Sequence, residues 1–180
     1  MLAPRYWNRV CLGTCSEDAA MNVVSDAVGS VEVSEDQRIY VPDGILGFED
    51  LKKFAIVEVE GLGPFRWLVS EEDSTVAFVI VSPYVVYGED YKIRLAESDR
   101  DILDLAPEDT TEMFVLVSMS DEAHRITANL KGPVVLNTQN RVAKQVVVYN
   151  PAYSFRHLFQ NESAPENTDG RTNLRAQVYR

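Results

Sequence analysis

Apolar positions along this chain alternate far more often than they recur at helical spacing. Residues 28–33 (V-G-S-V-E-V), 54–59 (F-A-I-V-E-V) and 65–69 (F-R-W-L-V) each predict a strand with one face buried. Phe65, Trp67 and Val69 fall on one side of the last, which assigns Trp67 to the core. Residues 76–81 (V-A-F-V-I-V) are apolar almost without a break, a pattern suited to a strand covered on both faces. Residues 112–119 predict another strand, and 37–41, 84–87 and 91–95 shorter extended pieces. Pro42-Asp43-Gly44 is a turn, and Phe48 and Leu51, three apart, fit one face of a helical turn.

The stretch from 126 to 157 is the most informative. Pro133 to Leu136 and Val146 to Tyr149 flank the polar turn Asn137-Thr138-Gln139-Asn140, which predicts a β-hairpin. Arg141 and Lys144 keep its rim wet. One helix stands out: Ser98 as cap, Asp99 and Asp101 in the first turn, then Ile102, Leu103, Leu105 and Ala106 until Pro107. Close-spaced turns, no crossover helices and one or two short helices predict a mainly β, antiparallel, barrel-like single domain. It is expected over residues 23–159, after a flexible leader at 1–22 (with Met21 an alternative start) and before a disordered tail at 160–180.

Charge narrows the partners. Acidic residues number 28 against 17 basic, a net charge of −11 that repels phosphate backbones and disfavours direct contact with nucleic acid. It favours a basic protein partner, or serves solubility alone. No apolar run reaches the roughly 20 residues of a membrane span, no signal peptide is evident, and a cytoplasmic location is expected. Cys11 and Cys15 have no second pair and no nearby histidine, which argues against a zinc site.

Catalytic chemistry finds no foothold. Dinucleotide, phosphate-loop, zinc-protease and serine-hydrolase motifs are all missing. His124 and His157 stand apart from any nucleophile motif, and the acidic pairs Glu49-Asp50, Glu71-Glu72 and Glu108-Asp109 are adjacent in turns. No enzyme, cofactor or metal is predicted.

Three blocks together resemble the FliW family of flagellar assembly factors. They are VPDGILGFEDLKKFAIVEVE, PFRWLVSEEDSTVAFVIVSPY and ITANLKGPVVLNTQNRVAKQVVVYNPAYSFRH. The most specific matches are Thr127, Asn129, Leu130, Pro133, Asn137 and Gln145, with Pro42, Gly44, Gly47, Phe48 and Glu49. Gly132, where the family usually has alanine, and Ser82, where it commonly has aspartate, depart from the pattern. The resemblance implies a mainly β protein that binds flagellin and, in competition, the RNA-binding translational repressor CsrA, relieving repression of flagellin mRNA.

Candidate contact residues follow. The amides of Asn129, Asn137, Asn140 and Gln145 could pair with a partner's backbone or with their own turns, and Lys131 lies beside them. Phe48 fills a partner pocket or staples its own turn, the second being favoured. Glu71, Glu72, Asp73, Glu89 and Asp90 are candidates for electrostatic steering, although Glu71 to Ser74 also reads as a plain solvated loop. The alternatives are an unrelated β-barrel interaction module and a small-molecule-binding barrel.

Overall fold

The computed structural model describes residues 21–59, 61–120 and 125–159. Within them the alternating segments form β1 (Met21–Ser25), β2 (Gly29–Val33), β3 (Arg38–Tyr40), β4 (Lys53–Val57), β5 (Phe65–Ser70) and β6 (Ala77–Val81). After helices α1 (Pro83–Tyr87) and α2 (Glu97–Ile102) come β7 (Thr111–Ser120), β8 (Arg125–Ala128), β9 (Val134–Asn137), β10 (Ala143–Gln145) and β11 (His157–Leu158). The fold is mainly β and its ladders are antiparallel.

The main sheet runs β10-β9-β7-β6-β5-β4-β3, with β8 on β7 and β11 on β8; β1 and β2 form a separate hairpin. Strand β7 carries the frame. Its first half pairs with β9, Thr111 opposite Asn137, and its second half with β8, Ser120 opposite Arg125.

Period-two alternation decides what each strand touches. Phe54, Ile56, Leu68, Ile80, Phe114, Val134 and Leu136 come from successive strands and share one buried cluster, so the sheet curls around it. Their neighbours face the other way and are covered as well. Ala55, Val57, Trp67 and Val69 lie under the β1–β2 hairpin residues Val23 and Val33. Val81, Val115 and Ala128 pack with Tyr91 and Tyr153, and Val135 and Val146 pack with Leu103. The unbroken run at β6 alone predicts coverage on both faces; β4 and β5, whose alternation predicts one buried face, are buried on both because the β1–β2 hairpin covers the second.

The sheet is not closed into a barrel. Its ends meet at one isolated parallel bridge between Tyr40 and Val142, where the Tyr40 N–H donates to the Arg141 carbonyl at 2.9 Å. Arg141, at φ 61°, turns the chain out of extended geometry there, and no ladder can grow. The barrel-like expectation is therefore corrected to an open, curled antiparallel sheet.

Several boundaries also move. Residues 84–87 are helical, not extended: Pro83 sits at the first helical position, where its missing N–H and fixed φ favour a helix over the aromatic and β-branched bias that follows. Residues 91–95 form no strand. The buried Tyr91 phenol anchors them, donating to the Leu130 carbonyl at 2.9 Å. Helix α2 is flanked by Ala96, whose N–H donates to Asp99 at 3.4 Å, so Ser98 lies inside the first turn and is not the cap. The predicted hairpin exists, but its second strand is β10, and 146–149 continue beyond it. Residues 45–51 make two successive turns instead of a helical one, the Phe48 N–H reaching Ile45 O and the Leu51 N–H reaching Phe48 O. Met21 and Asn22, placed in the leader, are paired with Val33 and Glu32. Residues 1–20 and 160–180, with Cys11, Cys15 and the tail, lie outside the described residues, as does His124.

Candidate protein-interaction surface

The β9–β10 hairpin positions the predicted amides, and it occupies them. Asn137 is fully buried at the end of β9, where its Nδ2 donates to Leu103 O (3.1 Å), Asp104 O (3.3 Å) and Asp109 Oδ2 (2.9 Å). Its Oδ1 accepts the Gln139 N–H at 2.9 Å. Asn140 donates to Leu103 O at 3.1 Å and accepts the Val142 N–H at 2.9 Å. Together they satisfy carbonyls left open at the end of α2, whose chain reverses through Asp104 at φ 47°. Asn129 accepts the Lys131 N–H at 3.1 Å. Of the two readings held open for these amides, the bonds seen are within the chain, to its backbone and, from Asn137, also to the Asp109 carboxylate.

Gln145 reaches furthest. Its Oε1 accepts the Leu46 N–H at 2.9 Å and its Nε2 donates to Gly132 O at 3.1 Å, tying the 45–48 turn to the hairpin. A Cβ on Gly132 would lie 2.8 Å from Asn129 Nδ2 and 3.1 Å from Gln145 Nε2, so glycine leaves these amides their room. Below this tie, Phe48 meets Phe78 edge-on with centroids 5.1 Å apart and packs on the main core. Gly44 must be glycine: at φ +71° a Cβ would sit 2.7 Å from Glu49 Cα and Phe48 O.

The acidic candidates divide in two. Glu71, with a side chain 3% exposed, accepts both arms of the Arg38 guanidinium at 2.8 and 2.7 Å, which raises the Arg38 pKa. Burial pushes the Glu72 carboxyl up, yet the N–H groups of Lys53 and Lys52 outweigh it and hold its pKa below the ordinary value. Asp73 bonds the hydroxyl and N–H of Thr75, which lowers its pKa too. Glu71 and Glu72 stitch the β5–β6 loop to β3 and β4, and Asp73 closes the loop on itself. Glu89 and Asp90 instead stand exposed after α1, beside exposed Tyr84 and Val85, and pair with nothing among the described residues.

Beyond β10 the chain stays extended and half its side chains turn outward. Val146 and Val148 face the core clusters, their N–H groups donating to Pro133 O (2.8 Å) and Lys131 O (2.9 Å). Val147 and Tyr149 face solvent, 48% and 92% exposed, and their N–H groups find no acceptor among the described residues. Lys131 lies over the Phe155 ring, 5.2 Å from its centroid, and Phe155 itself is 64% exposed. Leu46, 60% exposed, completes the strip through its bond to Gln145. Exposed apolar side chains beside an unpaired strand edge are the features of a surface that takes a protein partner. Asn129, Lys131, Gln145 and Phe48 were flagged from sequence and adjoin this strip. Val147, Tyr149, Phe155 and Leu46 were missed, because the unbroken V-V-V-Y run, read as one strand of a hairpin, does not show which of its side chains face solvent.

His157 offers no acid–base pair: its ring packs on Tyr87, centroids 5.6 Å apart. Among the described residues no group of His, Cys, Asp and Glu is arranged to hold a metal, and no helix is long and apolar enough to cross a membrane. The concave face of the sheet is filled by the main core.

Comparison with known proteins matches this architecture to one family. The family model described as FliW protein covers residues 22–159. The flagellar assembly factor FliW of Geobacter sulfurreducens is 32% identical over 158 residues, covering 88% of this chain and 98% of the relative. That of Caldicellulosiruptor saccharolyticus is 36% identical over 140 residues, covering 77% and 91%. A crystal structure of the flagellar assembly factor FliW superposes with a TM-score of 0.69 at 27% identity, covering 80% of this chain and all of the other. A match spanning every described strand and both halves of the hairpin shows that the chain belongs to the FliW family of flagellar assembly factors.

Proposed function

We propose that this chain acts in the cytoplasm by binding flagellin and, in competition, the translational repressor CsrA, so that flagellin mRNA is released from repression when unsecreted flagellin has been cleared. The reading is supported by the family membership and by one observation above others: the exposed edge at 145–149, with Val147, Tyr149, Phe155 and Leu46 beside unpaired N–H groups. A partner segment laid along that edge would satisfy the free N–H groups and cover the apolar side chains. The charge of −11 suits a basic RNA-binding repressor and disfavours RNA itself. Exposed Glu89 and Asp90 are the acidic candidates left for steering; Glu71, Glu72 and Asp73 serve the loop.

The test is titration calorimetry of the purified full chain against purified flagellin and, separately, a CsrA-type repressor. Micromolar or tighter binding of both is expected, with Tyr149→Asp weakening at least one by about tenfold through loss of a central aromatic contact. Undiminished binding of both by the variant removes the edge from the proposal, and failure of the wild-type chain to bind either removes the function.

A further inference from the structure

The edge at 145–149 lacks a neighbouring strand. Val146 and Val148 donate inward to Pro133 O and Lys131 O, so the alternate N–H groups of Val147 and Tyr149 point away from the sheet and meet no acceptor among the described residues. The Val147 and Tyr149 side chains, two residues apart, share an exposed face. Such an edge takes an extended segment that offers carbonyls opposite these N–H groups and apolar side chains at the same spacing of two.

The chain carries a segment of that pattern. β11 and Phe159 are followed by residues 160–173, QNESAPENTDGRTN, in which Ala164 and Pro165 are the only apolar side chains. Residues 174–179 then read L-R-A-Q-V-Y: Leu174, Ala176 and Val178 fall on one face of an extended strand, and Arg175, Gln177 and Tyr179 on the other. Residues 171–180 also hold Arg171, Arg175 and Arg180 and no acidic residue, so the negative excess of the chain lies wholly in the rest of it and attracts them. Phe159 is ten residues beyond Tyr149 and so lies within about 36 Å of it, whereas residues 160–173 extend to about 46 Å. A tether of this length gives the joined segment an effective concentration in the millimolar range, enough to hold a short strand that would not bind from solution. The family model ends at residue 159, so the segment lies beyond the matched region.

We propose that residues 174–179 of the same chain add as an antiparallel strand along the 145–149 edge. With Ala176 opposite Val147 and Leu174 opposite Tyr149, the Ala176 and Leu174 carbonyls accept the two outward N–H groups. The same register puts Leu174, Ala176 and Val178 on the face of Val147 and Tyr149, where they cover apolar surface. A partner that uses the edge displaces this strand, so the segment sets how tightly flagellin or the repressor is held. That consequence rests on the binding function proposed above; the docking itself does not.

Hydrogen exchange at the Val147 and Tyr149 amides of the isotopically labelled full chain tests this by nuclear magnetic resonance. Two variants in the segment serve as references: Ala176→Pro removes a donor from the centre of the added strand, and Val178→Asp puts a charge on its apolar face. Exchange at both amides is expected to be at least about tenfold slower in the wild-type chain than in either variant, and independent of protein concentration. Both variants should then bind flagellin or the repressor at least about threefold more tightly than wild type. Equal exchange in all three proteins overturns the proposal. Protection that grows with protein concentration assigns the edge to the segment of a second copy and overturns docking within one chain. Protection lost in both variants with no gain in partner affinity upholds the docking and removes the edge from partner binding, so the two proposals fail separately.

Discussion

The buried Asn137 amide joins the β9–β10 hairpin to the end of α2. Asn137 Nδ2 serves three acceptors from the end of α2 and the loop after it. Asn137→Ala would remove all three bonds and leave a void at a fully buried position, with Leu103 O keeping only Asn140 and Asp109 only the Ala106 N–H. The expected loss is about 2–4 kcal/mol by urea denaturation. A loss under about 0.5 kcal/mol, the range of an ordinary surface change, would show that the loop satisfies itself without the hairpin. Two glycines of the 42–49 turn separate conformational from steric demands. Gly47 has φ +86° and open space around it, so Gly47→Ala should cost about 1 kcal/mol, the strain of a left-handed alanine. Gly44 adds a collision with the Glu49 backbone, and Gly44→Ala should cost clearly more, about 2–4 kcal/mol. Equal melting shifts for the two would contradict the close approach described.

At the level of elements, the β5–β6 loop is fastened to β4 by Glu72, whose carboxylate holds two backbone N–H groups. Its folded pKa lies below the ordinary 4.5, so its stabilising contribution is fully present above that value and is lost as pH falls through the lower folded value. Glu72→Gln should therefore be less stable than wild type at neutral pH and lose less on acidification, read from urea midpoints across the carboxylate range. Parallel curves for the two proteins would remove Glu72 from the acid response. The elements also show what the chain's pattern reveals. β4 to β7 were legible as strands from their β-branched and aromatic runs between turns, although β4 and β5 are buried on both faces and not on the single face that alternation implied. Helix α1 was not, because Y-V-V-Y favours a strand and only Pro83 argued the reverse. The Tyr91 segment was misread because a phenol bond to Leu130, remote in sequence, replaces the ladder. Gln145 stood out as part of a motif, but that it clasps Leu46 across the fold could not be read from spacing. The exposed edge lay within a run read as extended, and an unbroken V-V-V-Y gives no sign of which side chains turn outward.

For the molecule as a whole, the curled sheet spends its apolar faces on one main core and three lesser clusters, leaving the 145–149 edge and the acidic exterior for partners. With a net charge of −11, association with a basic repressor should be fast at low salt and slow by about tenfold as ionic strength rises to physiological levels, measured by stopped flow. A salt-independent rate would assign the charge to solubility alone. The most direct measurement is competition: a preformed complex of this chain with labelled CsrA-type repressor is titrated with flagellin while free repressor and its RNA binding are followed together. The account predicts that flagellin displaces the repressor in proportion to its own binding and that the freed repressor regains RNA. A stable complex of all three proteins, or a repressor complex indifferent to flagellin, would contradict it.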